Sequence, residues 1–164
     1  MRLSVGIITL NEEKNLDKTL QSVQDIADEI VIIDSGSTDK TFEIAKRYNA
    51  TFIFNKWEGF GKQKNFAITN CSGDWILLID ADEVLSKELI IKIKHIKENE
   101  NEKKVFSRRR YTVCFGKIIK HGGCSNQYAV RLWRKGTVSV NDNLVHEEFL
   151  TKEEIYKISE KIYH

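Results

Sequence analysis

The side chains that carry the most chemistry in this sequence are acidic. Asp80-Ala81-Asp82 ends the apolar run WILLID. In extended backbone, residues two apart project to the same side, so both carboxylates are expected to face a single cation. Carboxylate oxygens suit a hard divalent ion, Mg²⁺ or Mn²⁺, which keeps some of its waters and also binds phosphate oxygens. Such an ion would neutralise charge building on a departing diphosphate. The competing reading is that acids after a buried strand only cap the next turn. Further along stands Val145-His146-Glu147-Glu148. Glu147 has the chemistry of a general base that takes a proton from an attacking hydroxyl, and His146 that of a metal ligand or a diphosphate contact. Arg131 and Arg134 flank Leu132-Trp133, where a guanidinium can clamp phosphate in two-pronged fashion.

Three more clusters have two readings each. Asp34 precedes Ser-Gly-Ser-Thr-Asp, where its carboxylate either accepts from a base or ribose or organises a turn in which Gly36 takes positive φ. Asp39 reads as a helix cap. Gly61-Lys62-Gln63-Lys64 opens a helix, so Lys62 and Lys64 either hold an anion with the helix N-terminus or form a solvated basic face. Cys114, His121 and Cys124 lie close in sequence but match no zinc spacing. Arg108-Arg109-Arg110 lacks interleaved aromatics and reads as a solvated strand.

The elements that must position these residues alternate through the first half. Leu3 to Leu10, Glu29 to Asp34, Thr51 to Asn55 and Trp75 to Asp80 read as strands. Segments with helical spacing separate them: Leu16 to Ala27, Lys40 to Tyr48 and Gly61 to Thr69. Ser86 then caps a helix with Leu89, Ile90, Ile93 and Ile96 on one side. Such alternation predicts an α/β fold with a mostly parallel sheet, and ligands then bind outside the carboxyl ends of the strands. Glu98 to Lys104 reads as a polar loop. Beyond it come β-rich pieces, expected as antiparallel additions to the sheet, and Lys152 to Ile162 is expected to be a helix. One domain is predicted, with an α/β half over 1–97, a β-rich half over 105–150 and a C-terminal helix over 151–164.

Composition narrows the classes. With 41% hydrophobic and 30% charged residues the chain reads as globular, and a net charge of +2 gives no general push toward nucleic acid. No apolar run approaches the roughly 20 residues of a membrane span, and the N-terminus reads as strand rather than leader peptide. Three scattered cysteines make no disulfide framework. The expected setting is cytoplasmic, with peripheral attachment to the inner face of a membrane compatible with the sequence.

Taken in order, SVGIITLNEEKNL (Ser4 to Leu16), IVIIDSGSTDKT (Ile30 to Thr41), GKQKNFAI (Gly61 to Ile68) and WILLIDADEVL (Trp75 to Leu85) resemble the family 2 glycosyltransferases. The resemblance implies the GT-A fold, a three-layer sandwich. It implies that Thr9, Asn11, Glu12 and Asp34 line a nucleoside pocket, with Lys62, Lys64 and Asp80 near the nucleotide. Asp80 and Asp82 would be the family's DXD motif, Asp82 the more direct ligand of Mn²⁺ or Mg²⁺. It further implies inverting transfer from a nucleotide sugar, UDP-glucose or similar, to a hydroxyl of a glycan or glycolipid acceptor, with Glu147 as base. The Arg-Leu-Trp-Arg and His-Glu segments look like the branch that builds bacterial lipopolysaccharide core. Members of that branch usually continue well beyond the His-Glu segment. Three rival readings stand beside this one: a binding domain for nucleotide sugars without turnover, a nucleotidyltransferase, and a phosphatase using Asp80-Ala81-Asp82-Glu83-Val84 as its nucleophile motif.

Overall fold

The computed structural model describes residues 1–99, 102–111, 113–114, 117–118, 128–141 and 148–163. The first half runs β1 (Leu3–Thr9), α1 (Leu16–Val23), β2 (Glu29–Asp34), α2 (Thr41–Arg47), β3 (Thr51–Phe54), α3 (Phe60–Asn70), β4 (Trp75–Asp80), β5 (Val84–Leu85) and α4 (Lys87–Glu98). The second half runs β6 (Val105–Tyr111), β7 (Val113–Cys114), β8 (Lys117–Ile118), β9 (Tyr128–Arg134), β10 (Ser139–Val140), β11 (Phe149–Leu150) and β12 (Ile155–Tyr163).

One eight-stranded sheet carries both halves, in the order β3-β2-β1-β4-β9-β6-β12-β5. The first four of these are parallel, β9 runs against both β4 and β6, and β12 runs parallel to β6. The alternation of side chains splits the core into two layers. Leu3, Val5, Ile7, Trp75, Leu77 and Ile79 pack under α1, α2 and α4, whereas Val31, Ile33, Ile76 and Leu78 pack with Ala67 and Cys71 from α3 and with Trp133. Ser86 caps α4 as predicted, its hydroxyl accepting from the Leu89 N–H at 3.2 Å. Helices on both faces of a mostly parallel sheet make the predicted three-layer α/β sandwich.

The C-terminal helix expected over 151–164 is instead strand β12. Ile158 and Ile162 are both buried, and their four-residue separation satisfies a helix and a strand alike. Tyr156 packs partly against the same core, which selects the period of two. The β-branched and aromatic content of Ile155–Tyr163 suits a pleated surface. β12 slots between β6 and β5, so the second half is not purely antiparallel.

At the amino ends of the strands a polar clamp fixes the sheet. Glu29 accepts from the Ser4 hydroxyl, from the Ser72 N–H at 2.7 Å and from the Ser72 hydroxyl at 3.0 Å. Gly73 donates its N–H to Ser4 Oγ at 2.7 Å, and a Cβ there would lie 2.8 Å from the Ser4 nitrogen, so only glycine fits. Burial opposes ionisation of Glu29, but the Ser4 and Ser72 donors and the nearby Arg2 charge outweigh it and hold its carboxyl below the usual range. A carboxylate held below its unfolded value stabilises the fold above that value, and the contribution fades as pH falls through the lowered one. Glu29→Gln is therefore expected to cost about 1 kcal/mol at neutral pH in urea denaturation. The gap between variant and wild type should close below about pH 4.

Candidate active site

The polar residues predicted at the strand ends do converge. Register sets Thr9 beside Asp34 and Ile8 beside Asp80, so the tips of β1, β2 and β4 lie level. Asp34 is buried and fully engaged by its own turn. One oxygen accepts from the hydroxyls of Thr9 at 2.9 Å and Ser37 at 2.5 Å. The other accepts from the N–H groups of Gly36 at 2.8 Å and Ser37 at 2.7 Å, an arrangement allowed by Gly36 at φ +107°. Of its two readings, turn organisation is the one displayed.

The segment after β1 is tied to the β2–α2 loop in the same way. The N–H groups of Asn11, Glu12 and Glu13 donate to Ser37 Oγ, Thr41 Oγ1 and Asp39 Oδ2 at 2.7, 2.8 and 3.0 Å. Asn11 sits at φ +55° and accepts from the Thr38 N–H at 2.9 Å. Asp39 also accepts from the Thr41 N–H at 3.0 Å, but α2 starts at Thr41 with Lys40 in the cap position and no side-chain cap bond, so Asp39 organises the turn before the helix instead of capping it.

Between these tips lies a cavity of about 550 Å³, lined by Thr9, Glu12, Ser35, Lys64, Asp80 and Asp82 on its polar sides and by Ile8, Leu10, Trp57, Phe60 and Ala81 elsewhere. Trp57 and Phe60 meet edge to face, ring centres 4.8 Å apart. Neither aromatic was singled out from sequence, nor was Ser35. The buried Gln63 was missed too. Its amide donates to Ser35 Oγ at 3.0 Å and to the Asn55 carbonyl at 3.1 Å, and accepts from Asn55 Nδ2 at 2.7 Å. A tryptophan three residues before a helix with glycine at its cap, Trp57-Glu58-Gly59-Phe60, is the one signal the sequence offers.

Asp80 sits at the cavity floor between two cations. Lys64 Nζ approaches one carboxylate oxygen at 3.7 Å and Arg131 the other at 3.1 Å. Arg131 also bonds Glu83 at 3.0 Å, and the second Glu83 oxygen accepts from the Asp80 N–H at 3.0 Å. Lys64, Glu83 and Arg131 are all buried. The formal charges of the four cancel, which is what makes their burial tolerable. Lys64 also stands 5.8 Å from the ring centres of both Phe60 and Phe149, which brings β11 to the site.

Several expectations need correcting. Asp80 and Asp82 do not share extended backbone: β4 ends at Asp80, and the Glu83 N–H donates to the Asp80 carbonyl at 3.0 Å, closing a turn. The Thr19 hydroxyl holds that turn through the Ala81 carbonyl at 2.7 Å. Both residues reach the cavity from the turn rather than from one strand face. Arg131 and Arg134 lie three positions apart along β9, which puts their side chains on opposite faces, and Arg131 is the one that reaches Asp80. Arg134 lies over Trp75, 5.1 Å from its ring centre, at the far end of β4. Lys62 is exposed and pairs with Glu58 at 3.0 Å, outside the cavity lining. His146 and Glu147 lie outside the described residues, as do His121 and Cys124. Among the described residues no group of three His, Cys, Asp or Glu side chains is arranged to hold a metal alone.

Comparison with known proteins decides the affiliation. The model of Glycosyl transferase family 2 matches residues 4–149. The chain belongs to that family. An uncharacterized glycosyltransferase of Rickettsia bellii is 46% identical over 101 residues, 62% of this chain and 34% of that one. The lipopolysaccharide core biosynthesis glycosyltransferase LpsC of Rhizobium meliloti is 46% identical over 92 residues, 53% of this chain and 34% of that one. The chain thus spans about a third of the length of these curated relatives. Staphylococcus aureus TarS 1–349 in complex with UDP superposes with a TM-score of 0.70 at 20% identity, over 100% of this chain and 60% of that one. Glucosyl-3-phosphoglycerate synthase of Mycobacterium tuberculosis, with Mn²⁺, UDP and glucosyl-3-phosphoglycerate, gives 0.54 at 23% identity, over 65% and 43%. The fold of this family 2 chain is GT-A. No helix among the described residues is long and apolar enough to cross a membrane.

In this family 2 site, Arg131 is a charge shared by the buried Glu83 and the half-buried Asp80. Arg131→Leu should cost about 3 kcal/mol in chemical denaturation, with Arg131→Lys recovering part of it. A loss below about 0.5 kcal/mol, the range of ordinary surface changes, would show that the cluster does not hold this end of β4.

Proposed function

We propose that this family 2 domain transfers a sugar, with inversion, from a nucleoside diphosphate donor to a hydroxyl of a glycan or glycolipid acceptor. UDP-glucose or a close relative is the expected donor, and assembly of cell-envelope polysaccharide or lipopolysaccharide core the expected setting. The observation that carries this reading is that one cavity at the strand tips is lined both by Thr9, Glu12 and Ser35 from the β1 and β2 ends and by Lys64, Asp80 and Asp82 from α3 and the β4 end. A nucleoside and its diphosphate need such a bipolar site. The kinship to LpsC supports the setting, and the UDP complexes of TarS and of the mycobacterial synthase support the donor class.

The residues present fit a hard divalent cation. Asp82 brings a carboxylate to the cavity, and the described lining contains no thiol or imidazole. Mg²⁺ and Mn²⁺ are commonly held by one or two carboxylates, with phosphate oxygens and water completing the set. In this reading Asp82 holds the ion, Asp80 supports it from its clamped position, and His146 is a further ligand. When bound, the ion would supply charge neutralisation at the diphosphate. Thr9, Asn11, Glu12 and Asp34 shape the nucleoside end, chiefly by fixing the loops, and Lys64 adds positive charge beside the phosphates.

Transfer then requires the acceptor oxygen to bond the anomeric carbon as the bond from that carbon to the diphosphate oxygen breaks. Glu147 is assigned the acceptor's proton, and the nucleoside diphosphate leaves. Phe149, two residues further along, lies against Lys64, which supports a base from this stretch of chain. Peripheral attachment to a membrane surface fits a glycolipid acceptor.

Incubation with a panel of nucleotide sugars and Mg²⁺ or Mn²⁺ should release nucleoside diphosphate. Asp82→Ala should abolish that release, as should excess chelator; full activity in either case would overturn the assignment. Glu147→Gln should leave donor affinity intact while transfer falls about 10²- to 10⁴-fold. Turnover near that of the wild type would remove Glu147 from the role of base.

A further inference from the structure

We propose that Asn65 is a positioning residue for the transfer step. Its side-chain amide holds strand β10 and thereby sets the neck from which the connection carrying Glu147 departs. The proposal rests on the reading of Glu147 as the base and adds the residue that places it.

β10 and β11 form a two-stranded sheet of their own, apart from the eight-stranded one, and a lone hairpin needs outside support. Within it Ser139 pairs with Leu150 and Val140 with Phe149. Next along, the Asn141 N–H donates to the Glu148 carbonyl at 3.0 Å, and the Asn141 side chain accepts from the Glu148 N–H at 3.0 Å. Asn141 and Glu148 thus close the neck of the connection 142–147, and Glu147 is the neighbour of Glu148 in sequence. Helix α3 grips this neck. Asn65 Nδ2 donates to the Val140 carbonyl at 2.7 Å, and Asn65 Oδ1 accepts from the Val140 N–H at 3.0 Å.

Two features make this contact one of positioning. An asparagine amide carries donor and acceptor side by side, so it copies the peptide of a neighbouring strand and satisfies both backbone groups of Val140 at once. Val140 is buried, where unpaired backbone groups are costly. The second feature is adjacency. Lys64, the preceding residue, approaches Asp80 at 3.7 Å and lies 5.8 Å from the Phe149 ring centre. Consecutive side chains of α3 therefore reach the end of β4 and the hairpin neck. The helix backbone is a fixed spacer, and it sets the separation between Asp80 and that neck. A base must stand within hydrogen-bond reach of the proton it takes, and a misplacement of about 1 Å can cost about 100-fold in rate.

Asn65→Ala in the full chain is compared with the wild type in Mg²⁺, on whichever nucleotide sugar of the panel above the wild type turns over fastest. Release of nucleoside diphosphate should fall roughly 10- to 100-fold, while calorimetry with that nucleoside diphosphate shows affinity and stoichiometry unchanged. Asn65→Asp, of the same shape but without the donor, should be impaired as well, which keeps the test open if Asn65→Ala does not fold. The Val140 amide should exchange with deuterium faster in Asn65→Ala, with the amides of β1 and β4 unaltered. The double variant separates positioning from mere support. If Asn65 acts through Glu147, adding Asn65→Ala to Glu147→Gln should slow release by no more than about twofold further, whereas a loss of folded protein would multiply the two effects. Multiplied losses would overturn the proposal and leave the base in place. So would either Asn65 variant within twofold of wild type while Glu147→Gln is impaired. Wild-type turnover in Glu147→Gln would remove the base reading and the proposal with it. A wild type that releases nucleoside diphosphate from no member of the panel would sink the transfer reading on which both rest.

Discussion

An acidic strand end can be buried only if cations are buried with it. Asp80 is half-buried in the cavity lining and Glu83 is buried beneath it, and Lys64 and Arg131 offset them. The two cations come from different parts of the chain, Lys64 from α3 and Arg131 from β9. Their shared partner therefore joins the parallel first half of the sheet to the strand that reverses its direction. Removing one member of such a cluster strands the others in a medium of low dielectric, which is why buried charges specify an arrangement more surely than they stabilise it.

This cluster also weighs against the two rival chemistries based on phosphate. A phosphatase that used Asp80 as nucleophile would need its carboxylate open to in-line attack, yet both oxygens are paired with cations. A nucleotidyltransferase would be expected to cradle phosphate with backbone N–H groups after β1. Here three successive N–H groups, at Asn11, Glu12 and Glu13, are already taken by side chains of the β2–α2 loop. What the segment after β1 brings to the cavity lining is Leu10 and Glu12.

The first half was legible because its strands are buried on both faces and read as unbroken apolar runs. Leu3–Thr9, Glu29–Asp34 and Trp75–Asp80 stand where the sequence put them, within a residue at their ends. Periodicity served less well later. Ile158 and Ile162 fit two periods at once, and the packing of Tyr156 together with the pairing of Ile155–Tyr163 with β6 separates them. The site was legible in residue type but not in direction. The spacing of Asp80 to Asp82 assumed extended backbone beyond a strand that stops at Asp80, and the pattern Arg-Leu-Trp-Arg did not show which of its two guanidinium groups faces the cavity end. Trp57, Ser35 and Gln63 have no motif of their own; their importance comes from β3 and α3 meeting, which is a tertiary fact.

The clamp of Glu29, Ser4, Ser72 and Gly73 lies at the opposite ends of the same strands from the cavity. The clamp and the cavity thus occupy separate poles of the strands, joined by six or seven residues of apolar β-structure. Loops at the cavity pole can change length and chemistry without disturbing the knot at the other. A scaffold partitioned in this way lends itself to diversification, because a lineage can acquire a new donor or acceptor through mouth substitutions that leave its folding apparatus alone.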